Sequence, residues 1–556
     1  MTETTKSLVK ETVIAALGTL VADGVIPAEP LPAFSVEIPA RSELGDFSCN
    51  VALAASKTLD IPSRKIAELI AGNINTEGSV FDKVEIAGPG FVNFFVKETW
   101  YGAAVNGILK KKGDYGRTDA GEGKRVLVEF VSANPTGPMH IGNARGGALG
   151  DCLASILEFA GYEAKREFYV NDAGNQIEKF GLSLDIRYRQ ELGEDIKFPE
   201  EAYKGGDITE HAKAFIAERG DRYLNVSEAE RRKALVDYAL PINIKGLKDD
   251  LLKYRIEYDN WFYESELHKN GAALKIVETL KERGHTYELD GAVWFEASKF
   301  GNEKDVVLIR KNGVPTYIVP DMAYHYNKLA ERGFDIAVDI LGADHHGYVS
   351  RMNAALTALG INAARLKVII MQMVRLVKGG ETVKISKRSG KAITLNSLLE
   401  EVPLDAARFF FNLRDANTHL DFDLDLAVEE TSKNPVYYVQ YAHARVRSVI
   451  RRLSDEGITR APGGSLTFSA KEERDLIRKL AAFPEEINEA AKAFDPSRIT
   501  RYIAEAAQLF HKFYDTCRVR GEDDDILQSR LALTEAAGVV IKNALTLMKI
   551  DAPEKM

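Results

Sequence analysis

The sequence predicts an α/β fold: a parallel sheet in mid-chain, an α+β unit before it and an all-helical region after it. Three observations carry this. First, "RVLVEFVS", a broken loop, the helix-spaced "NARGGALGDCLASILEFAG" and the strand-like "AKREFYVND" form one strand–helix–strand unit. Second, sheet signals return at "DVVLIR", "PTYIVPD", "DIAVDILGAD" and "LKVIIMQMVRLV". Third, nearly everything after about residue 430 has helical apolar spacing.

Taken in order, residues 1–115 read as the α+β unit. "DIPSRKIAELIAGNI" is a helix with Pro62 at its start, and "KVEIAGPGFVNFFVK" is two strands around a Gly-Pro-Gly turn. The polar linker "KKKGDYGRTDAGEGK" leads into the sheet region, residues 116–400. "RVLVEFVS" has the apolar run of a strand buried on both faces, and the helix after it stops at Gly161. Residues of about 180–290 are helical and heavily charged, and read as an insertion between two halves of the sheet. A connecting segment, 401–430, precedes the helical region 431–556.

The chain has 556 residues, 45% hydrophobic and 28% charged, enough for several proper cores. A net charge of −9 argues against a generic nucleic-acid sponge, although a local basic strip is allowed. Cys49, Cys152 and Cys517 lie far apart with no Cys-x-x-Cys pair, so neither a zinc site nor a disulfide framework is expected. A reducing, cytoplasmic setting fits them. The apolar run near Val13 is too short to span a bilayer and reads as an amphipathic helix, with no membrane partner.

The chemistry starts at "NPTGPMHIGN", Asn134 to Asn143. A short loop from a parallel strand into a helix sits where open α/β sheets bind ligands. The helix start offers free N–H groups and partial positive charge to phosphate. Gly137 and Gly142 let a ligand approach the backbone. Gly146, Gly147 and Gly150 each weaken the helix by roughly 1 kcal/mol, which suggests close packing against a neighbour or ligand. The loop matches neither the Walker A nor the Gly-x-Gly-x-x-Gly pattern, and alone it reads equally well as a plain turn with His140 bonded locally. "GETVKISKRSGKAITL" gathers Lys384, Lys387 and Arg388 around Ser386 and Ser389; alone, it reads as a solvated basic turn.

Together, "HIGN" and "KISKR" resemble the paired signature loops of class I aminoacyl-tRNA synthetases. "VEFVSANPTGPMHIGNARGGALGD", "FYVNDAGNQI", "YIVPDMAYH", "LGADHHGYVSR", "NPVYYVQYAHAR" and the N-terminal "ELGDFSCNVA" and "AGPGFVNF" resemble the arginyl-tRNA synthetases, bacterial type, nearly end to end. The resemblance implies a Rossmann-type class I catalytic domain with insertions, an N-terminal tRNA-binding domain and a C-terminal anticodon-binding domain. It implies ATP-dependent activation of L-arginine and transfer to the terminal 2′-hydroxyl of tRNA(Arg), with Mg2+ accompanying ATP and no zinc. His140, Asn143, Lys384 and Lys387 would be catalytic. Gly137, Gly142, Ser386 and His345 would join them around ATP. Asn143 departs from the family's usual second histidine and cannot carry its charge. Glu129, Asn134, Tyr317, Asp321 and, more loosely, Asp344 would form the arginine pocket, since a guanidinium needs planar anionic acceptors.

The charged residue in an otherwise apolar strand supports Glu129 independently, because a buried carboxylate is costly unless paired; a nearby lysine is the plain alternative partner. For Tyr317, core packing is the alternative. Two acids facing a guanidinium should reject lysine and neutral amino acids, so no editing activity is expected. Tyr437, Tyr441 and Arg445 interleave aromatics with arginines, which suits RNA, or else form a core stripe with a solvated basic face. By the resemblance they bind the anticodon region with Met556, while Phe91 and Asn93 meet the tRNA D-loop. The family also implies a monomer and activation that requires bound tRNA. The other readings are a class I synthetase of different specificity and a catalytically silent RNA-binding paralogue.

Overall fold

The computed structural model describes residues 5–28, 30, 33–39, 41–200, 202–343, 346–383, 393–461 and 464–556. Its N-terminal part is a four-stranded antiparallel sheet covered by the helices Thr5–Ala22, Val51–Leu59 and Ser63–Gly72. The strands Phe81–Ala87 and Phe91–Val96 pair across Gly88–Pro89–Gly90, where Gly88 and Gly90 take positive φ. The linker that follows is pinned rather than loose: Asn543 donates to the Lys112 and Tyr115 carbonyls at 2.8 and 2.9 Å.

The central sheet has five parallel strands, β1 (Arg125–Glu129), β2 (Glu163–Val170), β3 (Asn260–Tyr263), β4 (Ile336–Gly342) and β5 (Leu366–Met371). Their spatial order is β5-β4-β1-β2-β3. Order reverses between β1 and β4, and this leaves a crevice at their carboxyl ends. Helix α1 (Ile141–Phe159) joins β1 to β2 and is buried along most of its length. Two of its glycines face close neighbours: a Cβ on Gly150 would stand 2.2 Å from the Phe130 ring, and one on Gly147 2.8 Å from Ile256.

Between β2 and β3 stand α2 (Gly174–Glu191), α3 (Gly206–Arg219) and α4 (Glu228–Lys253), with a small core of their own around Phe180, Tyr188, Phe215 and Leu235. β3 itself falls inside the stretch expected to be an insertion. Three further expectations need correction. "PTYIVPD" is not a strand: Ile318–Tyr326 is helix α5, followed by a π-turn over Asn327–Glu331. Its β-branched residues read as strand, but Pro320 lies in the first turn, where no N–H is needed. "DVVLIR" is a strand of a separate antiparallel sheet with Thr286–Leu289 and Ala292–Phe295. "LKVIIMQMVRLV" also divides, for Val374–Lys378 pairs with Glu381–Thr382 and Leu420–Asp423 outside the parallel sheet.

The C-terminal part is helical, beginning with α6 (Pro435–Asp455). It locks onto α1 through a buried ionic knot. Asp151 accepts from Arg166 at 2.8 Å and Arg408 at 2.5 Å, and Arg408 also donates to the Met548 and Tyr254 carbonyls. At the other end of the chain, buried Asp46 accepts from Tyr101 and Arg478 at 2.6 and 2.7 Å, joining the N-terminal unit to the C-terminal helices.

Gly150→Ala therefore forces the Phe130 ring or α1 to shift and should destabilise by about 1–3 kcal/mol, read as a lower thermal midpoint. Gly107→Ala, whose added Cβ meets nothing within 4 Å, is the control. It should hold or gain stability by about 0.5–1 kcal/mol as helix propensity rises. Equal midpoints for the two variants would refute the packing assignment.

Candidate active site

A cavity of about 850 Å³ opens at the carboxyl ends of β1, β2 and β4. Glu129, Asn134, Gly137, His140, Asn143 and Asp321, all expected at the site, line it together. β1 ends in a strained turn, with Val131 at φ 68° and Ser132 at φ 38°. That turn aims Ser132 back: its Oγ donates to Glu129 Oε1 at 2.9 Å and accepts from the Tyr169 N–H at 3.1 Å.

His140 caps α1, and the Asn143 carboxamide oxygen accepts from the His140 N–H at 3.0 Å. Asn143 thus closes the helix start the way a reciprocal capping residue does, leaving its NH₂ as the end able to donate. Gly142 has open space around it. The same loop is bridged to the far end of the second signature segment: Ile141 N–H donates to the Ile393 carbonyl at 3.2 Å and Leu395 N–H to the Met139 carbonyl at 2.9 Å. A second cavity of about 750 Å³ shares Pro138, His140 and Asp207 with the first and runs toward Thr394 and Lys378. Lys384, Ser386 and Lys387, with Asp344 and His345, lie outside the described residues.

The electrostatics centre on α5. Glu129, expected to be free for substrate, is paired with Lys328 at 2.5 Å, so the plain alternative for this residue is realised even though it lines the cavity. Lys328 also binds Asp339 at 2.8 Å, and His325 Nε2 contacts the other Asp339 oxygen at 2.6 Å. Burial opposes the charge on Asp339, but Lys328 and His325 outweigh it and hold the carboxyl well below its ordinary value. Asp321, one turn earlier on α5, differs. Among the described residues its carboxylate has no hydrogen-bond or ion-pair partner, and burial pushes it up to about 7. Tyr317 does not reach the cavity. It is 63% exposed, with its hydroxyl accepting from Arg351 at 2.6 Å.

Sequence reasoning missed Asp339, Lys328, His325 and the aromatic wall of Tyr169, Tyr324 and Tyr348. Asp339 stands in an apolar strand just as Glu129 does, so the same argument would have found it. The i, i+4 spacing of Asp321, His325 and the neighbouring Lys328 is visible once the segment is read as helix. The inserted stretch, to which no site residue was assigned, also contributes. Lys204 and Asp207 line the cavity, and Asn243 of α4 donates to the Pro135 carbonyl at 3.0 Å.

The expected RNA-facing residues are divided. Tyr437, Tyr441 and Arg445 share one face of α6, with the tyrosine rings stacked at 6.3 Å and the Arg445 guanidinium 4.7 Å from both Tyr441 and Tyr514. Met556 and Phe91 are exposed. Asn93 is only 3% exposed and accepts from Ser48 at 2.7 Å, so it cannot meet RNA directly in this conformation. Among the described residues no three His, Cys, Asp or Glu gather as a metal-holding group, and no helix is long and apolar enough to cross a membrane.

Comparison with known proteins shows the family. Residues 104–448 match the class I tRNA synthetase catalytic domain of the arginine type, residues 5–96 the arginyl-tRNA synthetase N-terminal domain, and residues 439–556 the DALR anticodon-binding domain. The chain is 51% identical to an arginine–tRNA ligase of Caldanaerobacter subterraneus subsp. tengcongensis over 99% of both chains. It is 50% identical to that of Acetivibrio thermocellus, over 100% of this chain and 99% of the relative. The Thermus thermophilus arginyl-tRNA synthetase shares the fold with a TM-score of 0.79 at 21% identity, over 99% of this chain and 100% of that one. With these matches spanning the whole chain, the protein belongs to the arginyl-tRNA synthetase family of class I aminoacyl-tRNA synthetases.

Proposed function

We propose that the protein activates L-arginine with ATP and transfers it to the 3′-terminal adenosine of tRNA(Arg), releasing AMP and pyrophosphate. The observation that carries this reading is Asp321: a carboxylate with no hydrogen-bond or ion-pair partner among the described residues, in a cavity shared with the phosphate-facing loop. A guanidinium supplies the missing partner. The arginine carboxylate then attacks the α-phosphorus of ATP, forming one P–O bond as the bond to pyrophosphate breaks. The helix start at His140, the Asn143 amide and the lysines of the second loop would hold the phosphate oxygens as charge builds. Mg2+ would enter with ATP, held largely by phosphate oxygens and water. In the second step the terminal ribose 2′-hydroxyl attacks the carbonyl carbon of arginyl-adenylate and AMP leaves.

The Tyr437–Tyr441–Arg445 face offers stacking surfaces and a cation to splayed RNA bases, and supports its assignment to the anticodon side. Phe91, exposed beside the Gly-Pro-Gly turn, remains the N-terminal contact we assign to tRNA. Activation would await bound tRNA, and no editing step is assigned. Three buried cysteines, each free, suit a reducing cytoplasm, and we assign a monomer.

Charging of total tRNA with each amino acid in turn tests the function; arginine alone should be accepted. Asp321→Asn should lower kcat/KM for arginine by roughly 10²–10³-fold with little change in the KM for ATP, since it removes one member of a desolvated charge pair. Equal arginine charging by Asp321→Asn and the parent would sink the site model.

The pH dependence follows from the same residue. Arginine binds the ionised carboxylate, so its KM should rise about tenfold per unit as pH falls below about 7 and level off above it. Because the folded value is raised from 3.8 to about 7, the stabilising effect of the neutral acid is present at low pH and lost as pH rises through 7. Asp321→Asn should therefore raise the ligand-free thermal midpoint more at pH 8 than at pH 6. A flat arginine KM between pH 6 and 8 would contradict the assignment.

Asn143→Asp separates helix capping from chemistry. It keeps the acceptor for the His140 N–H and adds an anion where the helix start favours one, so the thermal midpoint should hold within about 1 kcal/mol. It removes the NH₂ donor, so the rate of arginine-dependent pyrophosphate exchange with tRNA present should fall at least about tenfold. Full exchange by this variant would limit Asn143 to capping.

A further inference from the structure

The cluster behind the cavity is regular. Asp339 and Glu129 are register partners on β4 and β1, and Glu129 and Glu167 are register partners on β1 and β2. Three carboxylates therefore stand side by side across three adjacent strands, all buried. Like charges directly opposite one another destabilise a sheet, and a buried unpaired charge costs more.

Two cations answer the three acids, and both come from the turn after α5. Lys328, fully buried, lies between Glu129 and Asp339, while Arg332 binds Glu167 with two bonds at 2.5 and 2.7 Å. The π-turn over Asn327–Glu331 carries Lys328 onto the row. Such turns recur at functional positions because they re-aim a side chain within a helix. The Lys328 ammonium also sits 4.1 Å from the Tyr324 ring centre, and Tyr324 donates to Glu167 at 2.7 Å. Three acids against two fixed cations leave one carboxylate oxygen to another partner, and the His325 ring meets it at the second Asp339 oxygen, 2.6 Å away. The place toward the cavity, one helical turn beyond His325, belongs to Asp321.

We propose that Lys328 is a positioning residue for the arginine site: its ammonium neutralises and orients the Glu129–Asp339 pair, so that one open negative position, at Asp321, is left for an incoming cationic side chain. This rests on reading the cavity as the arginine pocket. Lys328 touches neither bound arginine nor ATP in this scheme. It acts through Glu129, whose second oxygen is held by Ser132. The other groups that bear on the row are His325 on α5, whose Nε2 meets Asp339 and which also acts on Asp321, Glu264 on the helix Glu264–Lys269, Tyr169 on β2 and Tyr348 on the helix His346–Ala358. Burial raises the carboxyl of Glu264 and the hydroxyls of both tyrosines, so none of them supplies a competing cation.

The test is a proton inventory of L-arginine binding to the full-length enzyme, by calorimetry in buffers of different ionisation enthalpy between pH 5.5 and 8. With Lys328 in place one acid titrates on binding, so the parent should release at most one proton, most fully at the acid end. Release of clearly more than one proton by the parent would overturn the proposal, and this measurement needs no variant. Lys328→Met should weaken arginine binding by roughly 10–100-fold and steepen its acid limb beyond one proton, as a second acid of the row comes into play. ATP binding should be unchanged. Lys328→Met/Asp339→Asn, which deletes the like-charge pair together with its cation, should restore the single-proton limb. A merely structural lysine would lower the thermal midpoint in both variants and leave the proton count at one, which would refute a positioning role. Absence of arginine binding by the parent would instead reject the functional reading beneath it.

Discussion

Three carboxylates in register across β4, β1 and β2 are the constraint on which the rest of this molecule turns. A parallel sheet buried on both faces tolerates charge poorly. Holding Asp339, Glu129 and Glu167 at its centre commits the surrounding structure to supply cations from a fixed direction. That direction is α5 and its π-turn. The helix is therefore more than a crossover, because its register decides which acids are answered internally and which is left for a ligand. A one-residue slip would swing Lys328 off the row by about 100° of helix rotation and leave a buried acid pair unpaired.

A second set of buried ions ties this centre to the rest of the chain. Asp151, near the middle of α1, takes Arg166 from β2 and Arg408 from the helix Leu404–Phe411, and Arg408 reaches on to the Met548 carbonyl. Arg145, one and a half turns nearer the loop, is fully buried and donates to the Gln372, Asp415 and Thr418 carbonyls. Hence the helix that begins at His140 is gripped along its length by the segments leading into the C-terminal helices. The C-terminal strand of chain continues the connection: Arg255 binds Asp405, Asp551 and the Lys549 carbonyl, while His443 on α6 contacts the Pro553 carbonyl. Residues around α6 thus share partners with α1 and with Arg255 just beyond α4, and Asn243 within α4 holds the Pro135 carbonyl.

What the sequence made legible follows from which forces are local. The strand–loop–helix around His140, the turn at Gly88–Gly90 and the helical C-terminal region depend on spacing and turn chemistry, and these can be read residue by residue. Glu129 was legible because a charge in an apolar strand demands a partner. Its partner was not, since Lys328 is 199 residues away and reaches it only through a π-turn that leaves no periodic trace. α5 was misread for a related reason. Ile318, Val319 and Tyr317 have strand preferences, and burial against the sheet overrode them. Tyr317 and Asn93 mark the other limit: side-chain direction and burial belong to the tertiary fold, so motif membership alone could not place either one.

The turn at Val131 and Ser132 joins the acid row to the signature loop. A β-branched residue in the left-handed region costs about 1–3 kcal/mol and persists only where its surroundings over-determine it. Here they do. Ser132 is bonded on one side to Glu129 and on the other to the β2 backbone, and Val131 packs where Gly147 leaves room on α1. The strained pair thus fixes two directions at once, the plane of the Glu129 carboxylate and the exit of the chain toward Asn134. Glu129 is itself held by Lys328, so the acid row and the chain leading toward His140 meet at this turn. The acid row and the signature loop are thus joined through two residues, and Asn143 closes the far end of that loop by holding the His140 N–H.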